Sequence, residues 1–349
     1  MPFCAKRCDY CAFATWTDRH HLQSAYVDSL VEEVRQSVVH GIPVSTSVFF
    51  GGGTPSLLPA DELIRVLAAV PRTPDAEVTV ECNPDTVTAP LLNSYRRGGV
   101  TRISLGVQSM VGSVLTGLGR SHDPANVVTS VGLIRESGFT TFNLDLIYGA
   151  AGESMQQWID TLDAVLCLDP PHVSAYALTV EAGTPLAGDS SRHPDDDDQA
   201  DKYDVAEFRF GEAGLQNYEI SNWAQAGHEC RHNWLYWQQG DYRGYGCAAH
   251  SHERGRRYWN VRTPERYIAL ISGGQDATGG EERLDEDERA VEAAQLGLRT
   301  RGGVATNRLS AADIEEFVSA GLLTVHGSRA VLTPSGRMMA NQVAVRLTA

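Results

Sequence analysis

The chain of 349 residues, 42% of them hydrophobic, is long enough to bury one large core or two. Its formal net charge of −15 makes nucleic acid a poor partner for the whole chain. No apolar run approaches the ~20 residues needed to cross a bilayer, and no apolar stretch follows the first charges as in a signal peptide.

The expected compartment is therefore the cytoplasm, where disulfides are rare and clustered cysteines bind metal or do redox work. The chain opens on "MPFCAKRCDYC", which spaces Cys4, Cys8 and Cys11 as C-x3-C-x2-C. Three readings compete. A disulfide would leave one thiol over. Structural zinc takes four ligands, often as two separated pairs, and no second pair is visible. An iron–sulfur cubane on three thiolates leaves one iron free for a ligand, which makes the missing fourth cysteine a requirement.

From residue 20 to residue 180 two patterns alternate. "SAYVDSLVEEVRQSVVHG" and "ADELIRVLAAV" carry apolar residues at helical spacing. The β-branched runs "TSVFF", "EVTV", "TRISLGV", "TTFNLDLI" and "HVSAYALTV" read as strands. They recur about every 30 residues, the size of a βαβ unit, which predicts a parallel sheet with covering helices. An open doubly wound sheet and a barrel both fit that spacing. Gly51-Gly52-Gly53-Thr54, Glu81, Gln108 and Asp145 stand at or near strand ends, so they are expected to converge on one mouth.

Beyond residue 180 the pattern changes. The acidic run Asp195–Asp198 reads as a solvated loop feeding a helix from about Gln199 to Gly214. An aromatic-rich region follows, and from about Asp285 two helices and a small hairpin resemble a winged helix. Expected boundaries are 1–180 for the α/β unit, 181–280 for an α/β extension and 281–349 for the C-terminal domain. From Arg299 onward six arginines face three acids, too weak a bias for DNA binding.

The C-x3-C-x2-C motif resembles that of the radical S-adenosylmethionine (SAM) superfamily. "PFCAKRCDYC", "FFGGGTPSLL", "ECNPDT", "RISLGVQS", "LGRSHD" and "FNLDLIYG" are spaced like the blocks of its oxygen-independent coproporphyrinogen III oxidase group. The resemblance implies a partial, open (β/α)6 barrel with a C-terminal winged-helix-like domain. It implies a [4Fe–4S] cluster on Cys4, Cys8 and Cys11, whose open iron takes the amino and carboxylate groups of SAM. Tyr10 then lies beside the cluster and Gly52, Gly53 and Thr54 hold the methionine end. Glu81, Gln108, Arg120 and Asp145 contact the rest of SAM.

The oxidases of this group carry a fourth cysteine two residues past the third, where this chain has Phe13. The branch with phenylalanine there resembles heme chaperones, and it also carries an H-N-x-x-Y-W block. Here that block is His232, Asn233, Tyr236 and Trp237. The resemblance implies a chaperone that binds heme and hands it to unidentified acceptor proteins; oxidative decarboxylation of coproporphyrinogen is the alternative, and a homodimer is compatible with either. Heme iron wants an imidazole or thiolate between flat apolar walls, which suits His232, with His250, His252 and Cys230 as rivals. Cys82, Cys167 and Cys247 read as core thiols. The heme and SAM sites, far apart in sequence, are expected to be separable. The family's strand ahead of the first cysteine, with its SAM-contacting tyrosine, has no counterpart before Met1, which favours a start lying upstream.

Overall fold

The computed structural model describes residues 1–347. The β-branched runs form five parallel strands: β1 (Ser45–Phe50), β2 (Arg72–Cys82), β3 (Arg102–Gln108), β4 (Thr141–Tyr148) and β5 (His172–Ala177). They lie side by side in chain order, with no reversal. A doubly wound sheet needs a reversal of strand order; consecutive crossovers of one hand stack their helices on one face and curl the sheet. The result is a curled, open half-barrel.

The helices on the outer face are α1 (Gln23–Val39), α2 (Ala60–Ala69), α3 (Ala89–Gly98), α5 (Pro124–Glu136) and α6 (Met155–Leu166), whereas the short α4 (Gly112–Gly117) packs with Ile147, Leu178 and Leu186 in a separate apolar cluster. Three of the starts are capped by a side chain. Thr88 and Asp123 cap α3 and α5, and Ser154 forms a reciprocal capping box with Gln157 on α6. The apolar stripes, such as Leu63, Val66 and Leu67 on α2, are buried against the sheet.

The sheet does not stop at residue 180. After β5 it continues into β7 (Asn222–Ala224), antiparallel to β5, and then β6 (Gln216–Glu219). Helix α7 (Asp196–Glu212) connects β5 to this pair and starts at the acidic run. Asp195 accepts from the Asp198 amide as cap, and the Asp198 carboxylate meets the fully buried Lys202 ammonium at 2.5 Å. The run is thus a helix N-terminus, and one of its acids neutralises a buried cation.

Helix α8 (Arg231–Trp237) carries the aromatic block and packs on β1. A three-stranded antiparallel sheet follows, β8 (His250–Glu253), β9 (Arg256–Asn260) and β10 (Thr278–Arg283), with α9 (Pro264–Ser272) packed on α1. The C-terminal part comprises α10 (Glu286–Leu298), β11 (Val304–Ala305), α11 (Ala311–Ser319) and the hairpin β12 (Leu323–His326) and β13 (Arg329–Leu332). Its own core includes Leu298, Phe317, Leu323, Leu332 and Val343. Two further helices, α12 (Pro334–Met338) and α13 (Ala340–Leu347), follow the hairpin, because Thr333 caps α12 ahead of a proline at its first turn.

Inside the curl, a polar ladder crosses the strands. Parallel register sets Ser104 beside Asn143 and Asn143 beside His172, with Asp145 beside Ser174. The Asn143 Nδ2 shares its two N–H groups among Ser104 (2.8 Å), Asp145 (2.7 Å) and Ser174 (2.9 Å). Burial holds His172 well below the ordinary imidazole range, so the ring is neutral. Its Nδ1 donates to the Asn143 carbonyl (2.7 Å) and its Nε2 accepts from the Tyr218 hydroxyl (2.8 Å). That hydroxyl in turn accepts from the Cys230 amide at 3.3 Å. Tyr218→Phe strips a partner from His172 and from Cys230 at once. We expect a loss of about 1–3 kcal/mol in urea unfolding, and a loss below ~0.5 kcal/mol would show the ladder to be dispensable.

Candidate functional site

The C-terminal ends of the parallel strands open into a cavity of about 800 Å³. Its lid is the N-terminal segment, which is pinned by backbone bonds. The Met1 amino group donates to Gly51 O (2.7 Å), the Gly53 amide to Met1 O (2.6 Å) and the Thr54 amide to Phe3 O (2.8 Å). Phe3 is fully buried, edge-on to Tyr26. The loop that follows is clamped by bonds from the Asp9 amide to Leu118 O and from the Leu186 amide to Asp9 O.

Cys4, Cys8 and Cys11 all line this cavity, as do Tyr10, Gly52, Gly53, Thr54, Glu81, Gln108, Arg120 and Asp145. Thr54 Oγ1 donates to Cys4 Sγ and Arg120 Nη1 to Cys8 Sγ, both at 3.7 Å. The glycines have a reason the sequence did not suggest. A Cβ on Gly53 would lie 2.6 Å from Phe3 O and 2.8 Å from Met1 O, and Gly52 has φ +102°. Close approach here is by the chain's own N-terminal segment.

The acids of the cavity carry strained electrostatics. Burial and the nearby Asp145 charge push Glu81 up to about 8, opposed by the Met1 amino group and by the Gly52 amide, which donates to it at 3.2 Å. Asp145 is also raised by burial, although Ser104 and Asn143 donate to it. Gln108 ends β3 at φ +66°, where the β3–β4 register slips, so its side chain leaves the strand pattern under local strain. Burial raises the Tyr10 hydroxyl above its ordinary value, and its ring packs on the apolar cluster of Val111, Leu118 and Ile147.

His122 was not singled out in the sequence. It sits two residues past Arg120 in "LGRSHD", is 5% exposed, and lines the same cavity. Its only sequence signal was membership of that block. Ser104 and Tyr176 also line the cavity and went unremarked.

The aromatic block lies elsewhere, since none of its residues lines the cavity. His232 stacks on Phe49 (ring centroids 5.2 Å, 18°), Nδ1 meets Ser47 Oγ at 2.9 Å, and Nε2 meets the Tyr236 hydroxyl at 2.8 Å. Burial lowers its pKa to about 4, so the ring is neutral. Both oxygens of Glu77 accept from the first amides of α8 (Arg231 at 3.1 Å, His232 at 3.0 Å). Asn233 and Trp237 are half-buried and Tyr236 is exposed.

The rival ligands differ in availability. His252 is buried, with Nδ1 donating to Gly240 O and Nε2 accepting from the Gly255 amide. Cys230 is buried against Glu77, with its thiol pushed up to about 12. His250 is exposed and stacks on Trp259. Among the remaining thiols Cys82 is buried and Cys247 half-buried. Cys167 is exposed, contrary to the core assignment, because it is the C-cap that turns outward from α6.

Glu81 gives a pH-dependent prediction. Between the unfolded value of 4.5 and about 8 the unfolded chain releases a proton that native Glu81 keeps, so its contribution to stability falls as pH rises through that window. Glu81→Gln should raise the Tm of the ligand-free protein by about 2–5 °C near pH 8 and by much less near pH 5. Equal shifts at the two pH values, read by differential scanning calorimetry, would contradict the assignment.

Among the described residues no helix is long and apolar enough to cross a membrane. Residues 1–165 match the Radical SAM superfamily model. The chain is 39% identical to the heme chaperone HemW of Mycobacterium tuberculosis over 98% of this chain and 92% of that one. It is 31% identical to the heme chaperone HemW of Bacillus subtilis, over 98% and 96% respectively. Its fold superposes on coproporphyrinogen III oxidase (HemN) from Escherichia coli, a radical SAM enzyme, with a TM-score of 0.83 at 21% identity, covering 100% of this chain and 88% of that one. Full-length identity at this level to heme chaperones, on a half-barrel whose cavity gathers the three cysteines, leads to one conclusion: the chain belongs to the HemW heme chaperone family of the radical SAM superfamily.

Proposed function

We propose that the chain binds heme and passes it to acceptor proteins, and that it carries a [4Fe–4S] cluster on Cys4, Cys8 and Cys11 with SAM at the open iron. The observation that carries this reading is the convergence of three thiols with Thr54, Glu81, Gln108 and Asp145 on one cavity. The donor set fits the cluster. Cys4, Cys8 and Cys11 line the same cavity. A cubane takes each thiolate on a different iron, so it needs thiols held apart around one space. Such a cluster supplies the electron that can split the sulfonium of SAM. The chain's own part is to fix Cys4 through Thr54 and Cys8 through Arg120. Asp145 and Glu81 then present acceptors to ribose and ammonium groups.

For heme, α8 supplies a neutral imidazole beside flat rings. His232 Nδ1 bonded to Ser47 orients the ring and leaves Nε2 as the coordinating atom, once the Tyr236 hydroxyl moves off it. His252 and Cys230 have both their capacity and their access spent inside the fold. Phe13, 62% exposed on the cavity rim, offers an apolar ring where the oxidases carry a thiolate, which supports the chaperone reading over the oxidase.

Cys4→Ser, Cys8→Ser and Cys11→Ser should each lose iron and sulfide after anaerobic reconstitution, whereas Cys82→Ser and Cys167→Ser retain them. Unchanged iron in Cys8→Ser would overturn the cluster assignment.

His232→Ala should shift or abolish the Soret band of bound heme. Tyr236→Phe removes the hydroxyl that competes for Nε2 and keeps the ring, so heme titration should show binding tighter by about three- to tenfold. An unchanged spectrum in folded His232→Ala would move the ligand to His250, the exposed rival.

A further inference from the structure

Two residues of one cavity wall have polar atoms with nothing to bind. Neither Nδ1 nor Nε2 of His122 has a hydrogen-bond partner among the described residues, and neither has Arg120 Nε. The Val107 backbone acts on the imidazole from outside hydrogen-bond geometry. A buried polar atom left this way is destabilising, so three in one wall call for a ligand that supplies their partners.

The chemistry of the pair restricts that ligand. Arg120 directs one N–H of Nη2 to Gly106 O at 2.8 Å and one of Nη1 to Cys8 Sγ at 3.7 Å, while its buried Nε–H has no partner among the described residues. His122 is held at about 4 by burial and by the Arg120 charge, so its ring is neutral, with one N–H and one lone pair. Two N–H donors beside a permanent positive charge suit an anionic oxygen pair. The acids Glu81, near the end of β2, and Asp145, within β4, line the same cavity and supply acceptors there. The cavity is therefore polarised, with acceptors on those strands and donors on the 120–122 wall.

We propose that His122 is a ligand-binding residue that, together with Arg120, holds a carboxylate inside the cavity. This rests on the reading that the cavity takes SAM, whose aminoacyl end carries such a group. A propionate of heme has the same chemistry.

The test uses the full chain, reconstituted anaerobically, with calorimetric titration of four probes. These are SAM, decarboxylated SAM, heme and heme dimethyl ester. His122→Ala should weaken SAM binding about tenfold while iron and sulfide contents stay unchanged. It should leave the already weaker binding of decarboxylated SAM where it was. His122→Gln, which restores an N–H donor, should recover much of the loss. In cluster-free protein His122→Ala should not lower the Tm, whereas a residue with a purely structural role would. A selective loss for heme over its dimethyl ester, with SAM unaffected, would support the carboxylate assignment and identify a propionate as its source.

Unchanged affinity for all four probes would overturn the proposal, as would equal losses for a carboxylate probe and its carboxylate-free counterpart. If the wild type itself took up neither SAM nor heme, the cavity reading would fall and His122 with it. That failure would already be visible before any variant was made.

Discussion

A directed chain of hydrogen bonds runs through the middle of this protein, from the Asp145 carboxylate to the first turn of the helix that carries the aromatic block. Cys230 N–H donates to Tyr218, Tyr218 O–H to His172, His172 N–H to Asn143, and the Asn143 amide to Asp145. Each member has only one orientation open to it, because His172 is neutral and Asn143 must present its carbonyl to one side. Buried polar groups without partners are costly, so the strands, β6 and the start of α8 must stay in mutual register. The half-barrel interior is thereby polar at its centre and still ordered.

A second constraint joins the two candidate sites. The N-terminal segment needs Gly52 and Gly53 to lie against the turn after β1, and that turn follows Phe49 by two residues. The His232 ring stacks on Phe49, and a Cβ on Gly51 would touch both Phe49 and Glu81. The aromatic block thus leans on the strand whose end forms one wall of the cavity. The two candidate regions, far apart in the chain, are linked through β1.

Several groups of the cavity are displaced from their ordinary states. Glu81 and Asp145 are both pushed up, His122 is pushed down, and Gln108 sits at positive φ. None of these serves the packing of the core. Sites that bind charged ligands commonly hold such strain, because the ligand supplies the missing partners and countercharges. The sign of each shift fits a ligand with cationic and anionic ends lying across the mouth.

Composition and periodicity determined the alternating α/β pattern, because a strand-length apolar run and an amphipathic helix differ in period whatever surrounds them. The cysteine spacing and the residues at strand ends were equally legible, since chemistry that depends on neighbours in sequence is written locally. Parallel strands then carried Glu81, Gln108 and Asp145 to one end without further instruction. Other features depended on which elements meet, and only the tertiary structure decided them. Strand order separated the half-barrel from the doubly wound sheet. The pairing of β7 with β5 carried the sheet past residue 180. The outward turn at the end of α6 exposed Cys167. His122 became a candidate because folding buried it without a partner, and no local pattern records which hydrogen bonds a distant part of the chain fails to supply.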